Sequence, residues 1–373
     1  MTAAVVRRPP LLEGTSFAFG ASTLSLALVL IAVPRASWAV VGGDAGTLAA
    51  PVSAPAAGSA PPRAVDGREL IVPIPGAERL RVDNPLGGIV VRAWDRADAM
   101  HIVADKQSSS AEALARLRVH FTAWAGGEIS IEARVEAGGR ERALPLSASR
   151  VDLVIEVPAE LGVEAKTFAG DLSVIGLRAG ARLETTGGRI VVNDVHGRVI
   201  THQLRGGQSV AAVEGDVDLD GVEGHMHLDR LGGTRVEARV VDGDIRADDL
   251  RSDDVRLSAT TGAVVLFGVL RPRAHYDLRS YGGEVRVAVV GAPAGFELRA
   301  RSSVPVVSAI PLATLWQKGD RMRAVTASSG GRPGVTTTAA AVTGSSGGRP
   351  IVELSSVLGR VVVDSVPLVD RLQ

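Results

Sequence analysis

Residues 170–200 read GDLSVIGLRAGARLETTGGRIVVNDVHGRVI, and this stretch decides the fold. In it, a glycine and a polar residue are followed by aliphatic side chains at the second and fourth positions, as in Gly170-Asp171-Leu172-Ser173-Val174. Alternation with a period of two residues is typical of a strand with one buried face, and a leading glycine can adopt turn conformations that other residues resist. This pattern, here called the glycine-led phrase, also begins at Gly87, Gly188, Gly215, Gly224, Gly243, Gly262, Gly283 and Gly359.

The spacing of the glycines indicates how the strands are arranged. From Gly170 to Gly243 a glycine recurs every eight to ten residues, which leaves too little chain for a crossover helix between strands. An antiparallel meander could also be built from such units, but repetition of one phrase favours coils that stack in register. Two units would form a coil of roughly 18–20 residues. The sequence therefore predicts an all-β fold, a β-solenoid or β-helix-like stack of short glycine-led strands.

Three units depart from this frame. After Gly180, Gly207 and Gly233 the first aliphatic residue comes one position later. A shift of one residue would turn the apolar side of a strand outward. We therefore predict turns that are one residue longer at these three glycines, and a β-bulge is one way to form them.

The composition excludes several classes of function. The 373 residues carry 41 Lys+Arg and 41 Asp+Glu, whereas nucleic-acid-binding domains usually have a basic excess. The absence of cysteine excludes disulfides, thiolate metal sites and a cysteine nucleophile. With 43 glycines and 3% aromatic residues, the chain suits short strands and tight turns better than a core filled by a cofactor. We expect no cofactor and no nucleic-acid partner.

The N-terminal residues have the features of an export signal. Arg7 and Arg8 precede an apolar stretch at residues 17–33, and Ser37-Trp38-Ala39 supplies small residues where a signal peptidase cleaves. We predict a signal peptide at residues 1–39, with an uncleaved membrane anchor as the alternative. Residues 40–66 are rich in Ala, Pro and Gly and predict a disordered linker. The expected location is the periplasm, the cell surface or the extracellular space.

The remaining chain divides into two predicted parts. Residues 68–150 predict an N-terminal β part with one helix, which begins at Ala111 and follows a capping-box spacing from Ser109 to Glu112. Residues 151–363 predict the β-solenoid domain, with a flexible Gly/Ser/Thr-rich insertion at residues 325–349. An uncapped end would offer unpaired backbone groups for self-association, and we predict strands 351–363 as that end.

A family resemblance emerges from the order of several motifs. Residues 82–91 read VDNPLGGIVV and are followed by Trp94-Asp95, and a later aliphatic strand ends at Pro158 before Thr167-Phe168-Ala169-Gly170. This order resembles the bacterial DUF4097 family of adhesin-like envelope proteins, over roughly residues 68–363. The resemblance implies a β-solenoid-like domain at the cell envelope, and it brings no catalytic residues.

Two groups of polar residues are candidates for chemistry. His225 and His227 project from one face of a strand, with His202 and His196 one or two units earlier, and imidazoles on one face can bind zinc or copper. The alternative is a pair of solvated histidines, and we expect no metal because no third ligand has a fixed spacing. The acidic candidates, for calcium binding or glycosidic cleavage, are Asp216, Asp218, Asp220, Asp248, Asp249, Asp253 and Asp254.

The simpler interpretation of these carboxylates is mixed surface charge, because arginines such as Arg235 and Arg246 lie on the same strands. Ser258 and Ser280 are expected to be turn residues and not nucleophiles, since no nucleophile-elbow motif surrounds them. We expect a non-enzymatic, adhesin-like or envelope scaffold module that binds a protein or polysaccharide ligand of the envelope or surface along an extended repeat face. The alternatives are a carbohydrate-active β-helix enzyme that uses the acidic residues, or an envelope-stress signalling accessory.

Overall fold

The structure is a computed structural model, which describes residues 64–123, 127–136, 149–291, 296–326 and 349–366. All of these residues belong to one unit, Ser59–Gln373. The described residues form one helix, α1 (Ala111–Arg116), and the strands that follow. They are β1 (Ala64–Pro73), β2 (Arg79–Asn84), β3 (Ile89–Trp94), β4 (Ala99–Ser108), β5 (Leu117–Ala123), β6 (Glu128–Val135), β7 (Ser149–Pro158), β8 (Gly162–Ala169), β9 (Leu172–Ile175), β10 (Ala181–Gly187), β11 (Ile190–His196), β12 (Val199–Arg205), β13 (Gln208–Glu214), β14 (Val217–Glu223), β15 (Met226–Gly232), β16 (Arg235–Asp242), β17 (Ile245–Asp248), β18 (Asp254–Ala259), β19 (Val264–Gly268), β20 (His275–Ser280), β21 (Val285–Val290), β22 (Glu297–Ser302), β23 (Val307–Ser308), β24 (Leu312–Lys318), β25 (Arg321–Thr326), β26 (Ile351–Ser356) and β27 (Val361–Val366).

Two long sheets are built from these strands. Sheet A has the order β1-β4-β7-β3-β9-β11-β13-β15-β17-β19-β21-β27-β23, and sheet B has the order β24-β25-β22-β26-β20-β18-β16-β14-β12-β10-β8-β2-β6-β5. From β8 to β21 successive strands alternate between the sheets, and each strand pairs in parallel with the strand two positions later. One strand from each sheet therefore makes one coil of a solenoid.

The register gives the length of a coil. Ile190 pairs with Gln208, and Gln208 pairs with Met226, so each of these coils takes eighteen residues. The next steps, from Met226 to Ile245 and from Ile245 to Val264, take nineteen. The predicted β-solenoid, with its coil of roughly 18–20 residues, is confirmed.

The interior is lined by the aliphatic residues of the repeated phrase. Leu183, Val192, Leu219 and Leu228 are at most 1% exposed. Buried and exposed residues alternate along the strands, as the period of two predicts. Full burial of one such side chain stabilises the fold by roughly 1.5–3 kcal/mol, so the stack is held together mainly by this continuous apolar core.

The first coil does not lie where chain order would place it. β2 pairs with both β6 and β8, and β3 pairs with both β7 and β9. The β2/β3 coil therefore lies between the later coil β6/β7 and the coil β8/β9. Beyond it, β4 and β1 extend sheet A in antiparallel fashion, and β5 pairs antiparallel with β6 in sheet B. This end of the solenoid is capped in both sheets.

The last coil is also inserted between two other coils, an arrangement here called threaded. β26 pairs in parallel with both β20 and β22, while β27 pairs with both β21 and β23. The prediction that strands 351–363 form an open end is therefore wrong, because both strands have a neighbour on each side. The end itself is made by β25 and β24, which continue sheet B in antiparallel fashion, and by β23, a two-residue strand of sheet A.

Local predictions can be compared with the structure at several turns. Helix α1 begins as predicted at Ala111, and the side chain of the N-cap Ser110 accepts the N–H of Ala113. The helix ends at Arg116, and β5 begins directly after it at Leu117. At Gly233 the turn is one residue longer, because Val217 pairs with Val236, nineteen residues on. At Gly180 and Gly207 the longer turn was a wrong prediction. There the small Ala181 and the polar Gln208 occupy the inward positions.

The predicted signal peptide at residues 1–39 lies outside the described residues, as do residues 40–63 of the predicted linker and 327–348 of the predicted insertion. Residues 64–66 belong to β1, so the strand begins before the predicted boundary at residue 68. Within the described ranges, no helix has the length and apolar character that crossing a membrane requires.

Candidate functional site

The repeat glycines form stacks at the corners of the solenoid. A Cβ added to any glycine in the main stack after Gly87 would overlap the carbonyl oxygen of the glycine one coil earlier, so only glycine allows the coils to approach this closely. Gly215 belongs to a second stack, with Gly197 and Gly233. The main stack contains Gly87, Gly170, Gly188, Gly206, Gly224, Gly243, Gly262, Gly283 and Gly359.

Hydroxyl groups beside the main stack bond to it. The buried Thr167 Oγ1 donates to the carbonyl of Gly87 at 2.8 Å, and Ser356 Oγ donates to that of Gly283 at 2.9 Å. Ser280 Oγ donates to the Gly262 carbonyl at 2.7 Å and accepts the N–H of Gly283 at 2.8 Å. Ser280 is the last residue of β20, and its hydroxyl bonds to the turn that follows. Ser258 lies within β18 on its half-buried outer side, so the expectation that it is a turn residue was wrong.

The aspartates that follow repeat glycines also support turns. Asp216 Oδ1 accepts the N–H groups of Thr234 at 3.1 Å and Arg235 at 3.0 Å, in the next coil. Asp171 accepts the N–H of Arg189 at 2.7 Å in the same way. A carboxylate that accepts backbone N–H groups satisfies donors that the turn would otherwise leave unpaired. Asp216 is therefore explained by the architecture of the turn.

The other acidic candidates do not converge. Asp218 and Asp220 lie on the outer side of β14 in sheet B, whereas Asp248 lies on β17 in sheet A. Arg239 Nη1 lies 3.2 Å from Asp220 and 4.0 Å from Asp218. Because Asp248 belongs to the other sheet, it does not share with Asp218 and Asp220 the cleft that an acid–base pair would need.

The histidines are equally dispersed. His227 lies on β15 in sheet A, and His202 lies on β12 in sheet B, where its Nδ1 is 3.4 Å from Asp220. His225 Nδ1 accepts the N–H of Asp244 at 3.2 Å, and His196 Nε2 is 3.4 Å from Glu214. In the part of the chain that the structure describes, no three His, Asp or Glu side chains are grouped so as to hold a metal ion.

A line of eight outward-facing residues, six of them apolar, runs along the carboxyl ends of the sheet B strands and is here called the apolar stripe. Each member lies two residues before a glycine of the main stack. The residue just before each member faces inward, and these inward residues pair with one another from strand to strand, from Thr167 through Thr185 and Gln203 to Ser356. The stripe places one residue on each coil. Its members are Phe168, Thr186, Leu204, Val222, Val241, Thr260, Tyr281 and Val357.

The apolar members of the stripe are exposed by 43–62%. With strands about 4.8 Å apart, eight successive positions extend over about 34 Å. Near its middle, the stripe borders a shallow depression of about 300 Å³, which is lined by Thr186, Leu204 and Val222. Contiguous exposed apolar surface of this kind marks interaction sites in soluble proteins.

The neighbouring row on the outer side of sheet B is charged, and its charges are paired. Lys166 Nζ donates to Glu184 at 2.9 Å, and Asp220 lies between His202 and Arg239. Exposed ion pairs of this kind contribute little stability, about 0–1 kcal/mol each. The apolar stripe is therefore flanked by charge that is already matched within the molecule.

Sequence reasoning missed the stripe because it followed the residues after each glycine. The available signal was the residue two positions before, where Phe168, Leu204, Val222, Val241 and Tyr281 recur at the period of a coil. An apolar residue that faces outward in a strand breaks the expected alternation. Its recurrence at this position on six of the eight coils, with threonine at Thr186 and Thr260, distinguishes it from an isolated exposed residue.

Comparison with known proteins adds little at the level of sequence. No family model matches the chain, and no curated protein matches it. Among solved structures, it is similar to a "putative cell adhesion protein" from Clostridium sporogenes, with 11% identity, a TM-score of 0.25 and coverage of 81% of this chain and 100% of the other. It is also similar to a "putative adhesin" from Bacteroides fragilis, with 12% identity, a TM-score of 0.31 and coverage of 81% and 98%. Likeness at this level identifies no partner and no activity.

Proposed function

We propose that this protein is an exported, non-enzymatic, adhesin-like module of the cell envelope, which binds another protein along the apolar stripe. The observation that carries the proposal is the continuity of the stripe, with one outward residue on every coil from Phe168 to Val357. Because the core fixes each coil, these side chains are already held in line, and a partner would lose little conformational entropy of the solenoid on binding.

The chemistry of the stripe favours a protein partner over a sugar chain. Most of its apolar members are aliphatic, as at Leu204, Val222 and Val241, with aromatic rings only at Phe168 and Tyr281. Aliphatic side chains gain free energy by excluding water from another apolar surface, at about 25 cal/mol per Å² buried. A polar sugar chain offers little surface of that kind.

The N-terminal sequence supports export to the envelope. Arg7, Arg8, the apolar stretch at residues 17–33 and the small residues before Val40 form the pattern of a cleaved signal. Fractionation of producing cells, with mass spectrometry of the mature N-terminus, tests this part. We expect a start near Val40 in an extracytoplasmic fraction, and an intact N-terminus in the cytosol would contradict export.

The binding part is tested with beads that carry the purified chain and are mixed with intact cells of the producing organism. We expect the wild-type beads to adhere, and the variant Leu204→Asp/Val222→Asp to lose at least tenfold of the adhesion. Pretreatment of the cells with protease should abolish binding if the partner is a protein. The matched control is Ile200→Asp, which places a carboxylate on the outer side of β12 away from the stripe.

Equal adhesion of the stripe variant and the control would contradict the proposal. Adhesion that survives protease but is lost after periodate oxidation of the cell-surface sugars would contradict the choice of a protein partner.

A further inference from the structure

A second surface lies at the C-terminal end of the solenoid, on the outer side of sheet B. It is a groove of about 630 Å³ that crosses five adjacent strands, β20, β26, β22, β25 and β24. Five strands about 4.8 Å apart give it a length of about 19 Å, which is longer than a single sugar ring. We call it the arginine groove after its lining residues Arg279, Arg299, Arg301, Arg321 and Arg323.

The arginines lie in two rows that follow the register of the strands. One row runs from Arg279 through Ser355 and Arg301 to Arg321, so that it contains no carboxylate. The other row runs from Asp277 through Glu353 and Arg299 to Arg323. The threaded position of β26 is what brings β20 and β22 to either side of Ser355.

The charge balance of the groove differs from that of the rest of the face. Five arginines and two carboxylates, Asp277 and Glu353, line it. Glu297 and Asp320 bond to these arginines from outside the lining, which leaves a net charge of +1. On the coils from β8 to β18, by contrast, the same two outer rows are slightly acidic, with Lys166, Arg182, Arg239 and Arg256 against Glu164, Glu184, Asp218, Asp220 and Glu237.

Several guanidinium donors remain free to bind a ligand. Arg301 donates from Nε to Asp320 at 2.7 Å, and its two Nη groups have no partner among the described residues. Arg321 forms neither an ion pair nor a side-chain hydrogen bond with the described part of the chain. Guanidinium groups bind carboxylates and similar anions through paired N–H donors.

One aromatic ring accompanies the second row, the one that ends at Arg323. Trp316 pairs with Arg323 across the hairpin of β24 and β25, lines the groove and is 47% exposed. An indole ring offers a large, flat apolar surface with one polar N–H. Next to anion-binding groups, such a surface suits a ligand with both an apolar ring face and a negative charge.

We propose that the arginine groove binds an anionic polysaccharide. Arg301 and Arg321 hold its carboxylate groups, and Trp316 stacks on a sugar ring. Arg301 and Arg321 pair across the adjacent strands β22 and β25, so their free donors lie side by side along the groove. This site adjoins the C-terminal end of the apolar stripe, because β20 and β26 carry groove residues and are followed directly by the stripe members Tyr281 and Val357. The ligand-binding residues Arg301, Arg321 and Trp316 lie beyond the stripe, on strands that carry none of its members. The site therefore stands whether or not the stripe binds a protein.

Calorimetric titration of the full chain with polygalacturonate tests the proposal, with neutral dextran as the uncharged control. We expect saturable binding of polygalacturonate that weakens as salt rises, and no binding of dextran. Arg301→Gln/Arg321→Gln and Trp316→Ala should each weaken binding at least tenfold. Arg182→Gln, which removes an arginine of the same face outside the groove, should leave binding unchanged.

Arg321→Gln alone guards against loss of the fold, because the Arg321 side chain forms no ion pair or hydrogen bond with the described residues, and it should still weaken binding severalfold at an unchanged melting temperature. The variant Leu204→Asp/Val222→Asp of the apolar stripe should bind polygalacturonate like the wild type. Absence of binding, or equal loss in Arg182→Gln, would overturn the proposal. So would equally tight binding of a single-stranded DNA oligonucleotide, since the site would then recognise charge without sugar.

Discussion

The middle of the solenoid and its two ends are built from the same glycine-led phrase but are ordered differently. From β8 to β21 each coil rests on the one before it in the chain. At each end, one coil (β2/β3 or β26/β27) is inserted between two coils that follow each other in the chain but lie far from the inserted coil in sequence. The comparison teaches that the phrase determines the shape of a coil, while long-range pairing determines its place in the stack.

The two ends also differ from each other. At the N-terminal end, antiparallel strands extend both sheets. At the C-terminal end, sheet B continues into the hairpin of β24 and β25, while the last strand of sheet A among the described residues is the two-residue β23. The hairpin adds Arg321, Arg323 and Trp316 to the outer face, so the arginine groove is a product of the capping of this end.

The largest effect is expected in the middle, at the glycine stack. Gly206 has φ 125°, and its Cβ would overlap the carbonyl oxygen of Gly188. We expect Gly206→Ala to lower the free energy of unfolding by about 3 kcal/mol or more. Gly207→Ala is the matched control, because its Cβ would meet no atom closer than the His225 carbonyl oxygen at 3.5 Å.

Urea unfolding followed by circular dichroism measures both changes. Equal destabilisation by the two alanines would show that Gly206 has no special place in the stack. It would contradict the claim that the close approach of neighbouring coils requires glycine there.

An intermediate effect is expected where the regular middle meets the threaded coil. Ser280→Ala removes the hydroxyl that bonds to both the Gly262 carbonyl and the Gly283 N–H. Leaving buried backbone groups without a partner costs about 1–3 kcal/mol. Ser258→Ala, on the outer side of β18, should change stability by less than about 0.5 kcal/mol. Thermal unfolding of the two variants provides the comparison, and a larger loss for Ser258→Ala would contradict it.

The smallest effect is a pH dependence confined to the C-terminal end. Hydrogen bonds from Arg323, and also from Arg299, lower the pKa of the Glu297 carboxyl although burial acts in the opposite direction. A lowered pKa in the folded state means that the stabilisation is complete above the ordinary value of 4.5 and is lost as the pH falls through the lower folded value. We expect acid to loosen β22 and β25 before the middle coils.

Hydrogen exchange between pH 3 and pH 6 resolves this difference along the chain. Glu297→Gln should destabilise this end by about 1 kcal/mol at neutral pH and remove its acid dependence. Glu164→Gln, on the outer side of β8, serves as the control. Acid dependence that persists in Glu297→Gln would assign it to another group.

Much of the regular middle could be predicted from the sequence, because each coil repeats one local pattern. The period of two placed Leu172, Leu219 and Leu228 in the core, and the glycine spacing gave the length of a coil. The pair Gly206-Gly207 could not be resolved in this way. Both glycines fit the spacing, and only the approach of the Gly188 carbonyl distinguishes them.

The threading and the binding surfaces depend on information that the local pattern does not contain. Nothing in residues 351–363 states that β26 lies between β20 and β22, because all three strands carry the same alternation. The arginine groove depends both on that insertion and on the hairpin of β24 and β25, so it was equally hidden. The acidic and histidine candidates were weighed by residue type, and the structure distributes them over two sheets.

The threading of the last coil can be measured directly with engineered disulfides, since the chain has no cysteine of its own. Neighbouring parallel strands lie about 4.8 Å apart, within the reach of a disulfide, whereas strands two positions apart lie about 9.6 Å apart, beyond it. We predict that the pairs Arg279→Cys/Ser355→Cys and Ser355→Cys/Arg301→Cys cross-link under mild oxidation, and that Arg279→Cys/Arg301→Cys does not. Ready cross-linking of Arg279→Cys with Arg301→Cys, without cross-links to Ser355→Cys, would show that the coils stack in chain order and would contradict the threaded end.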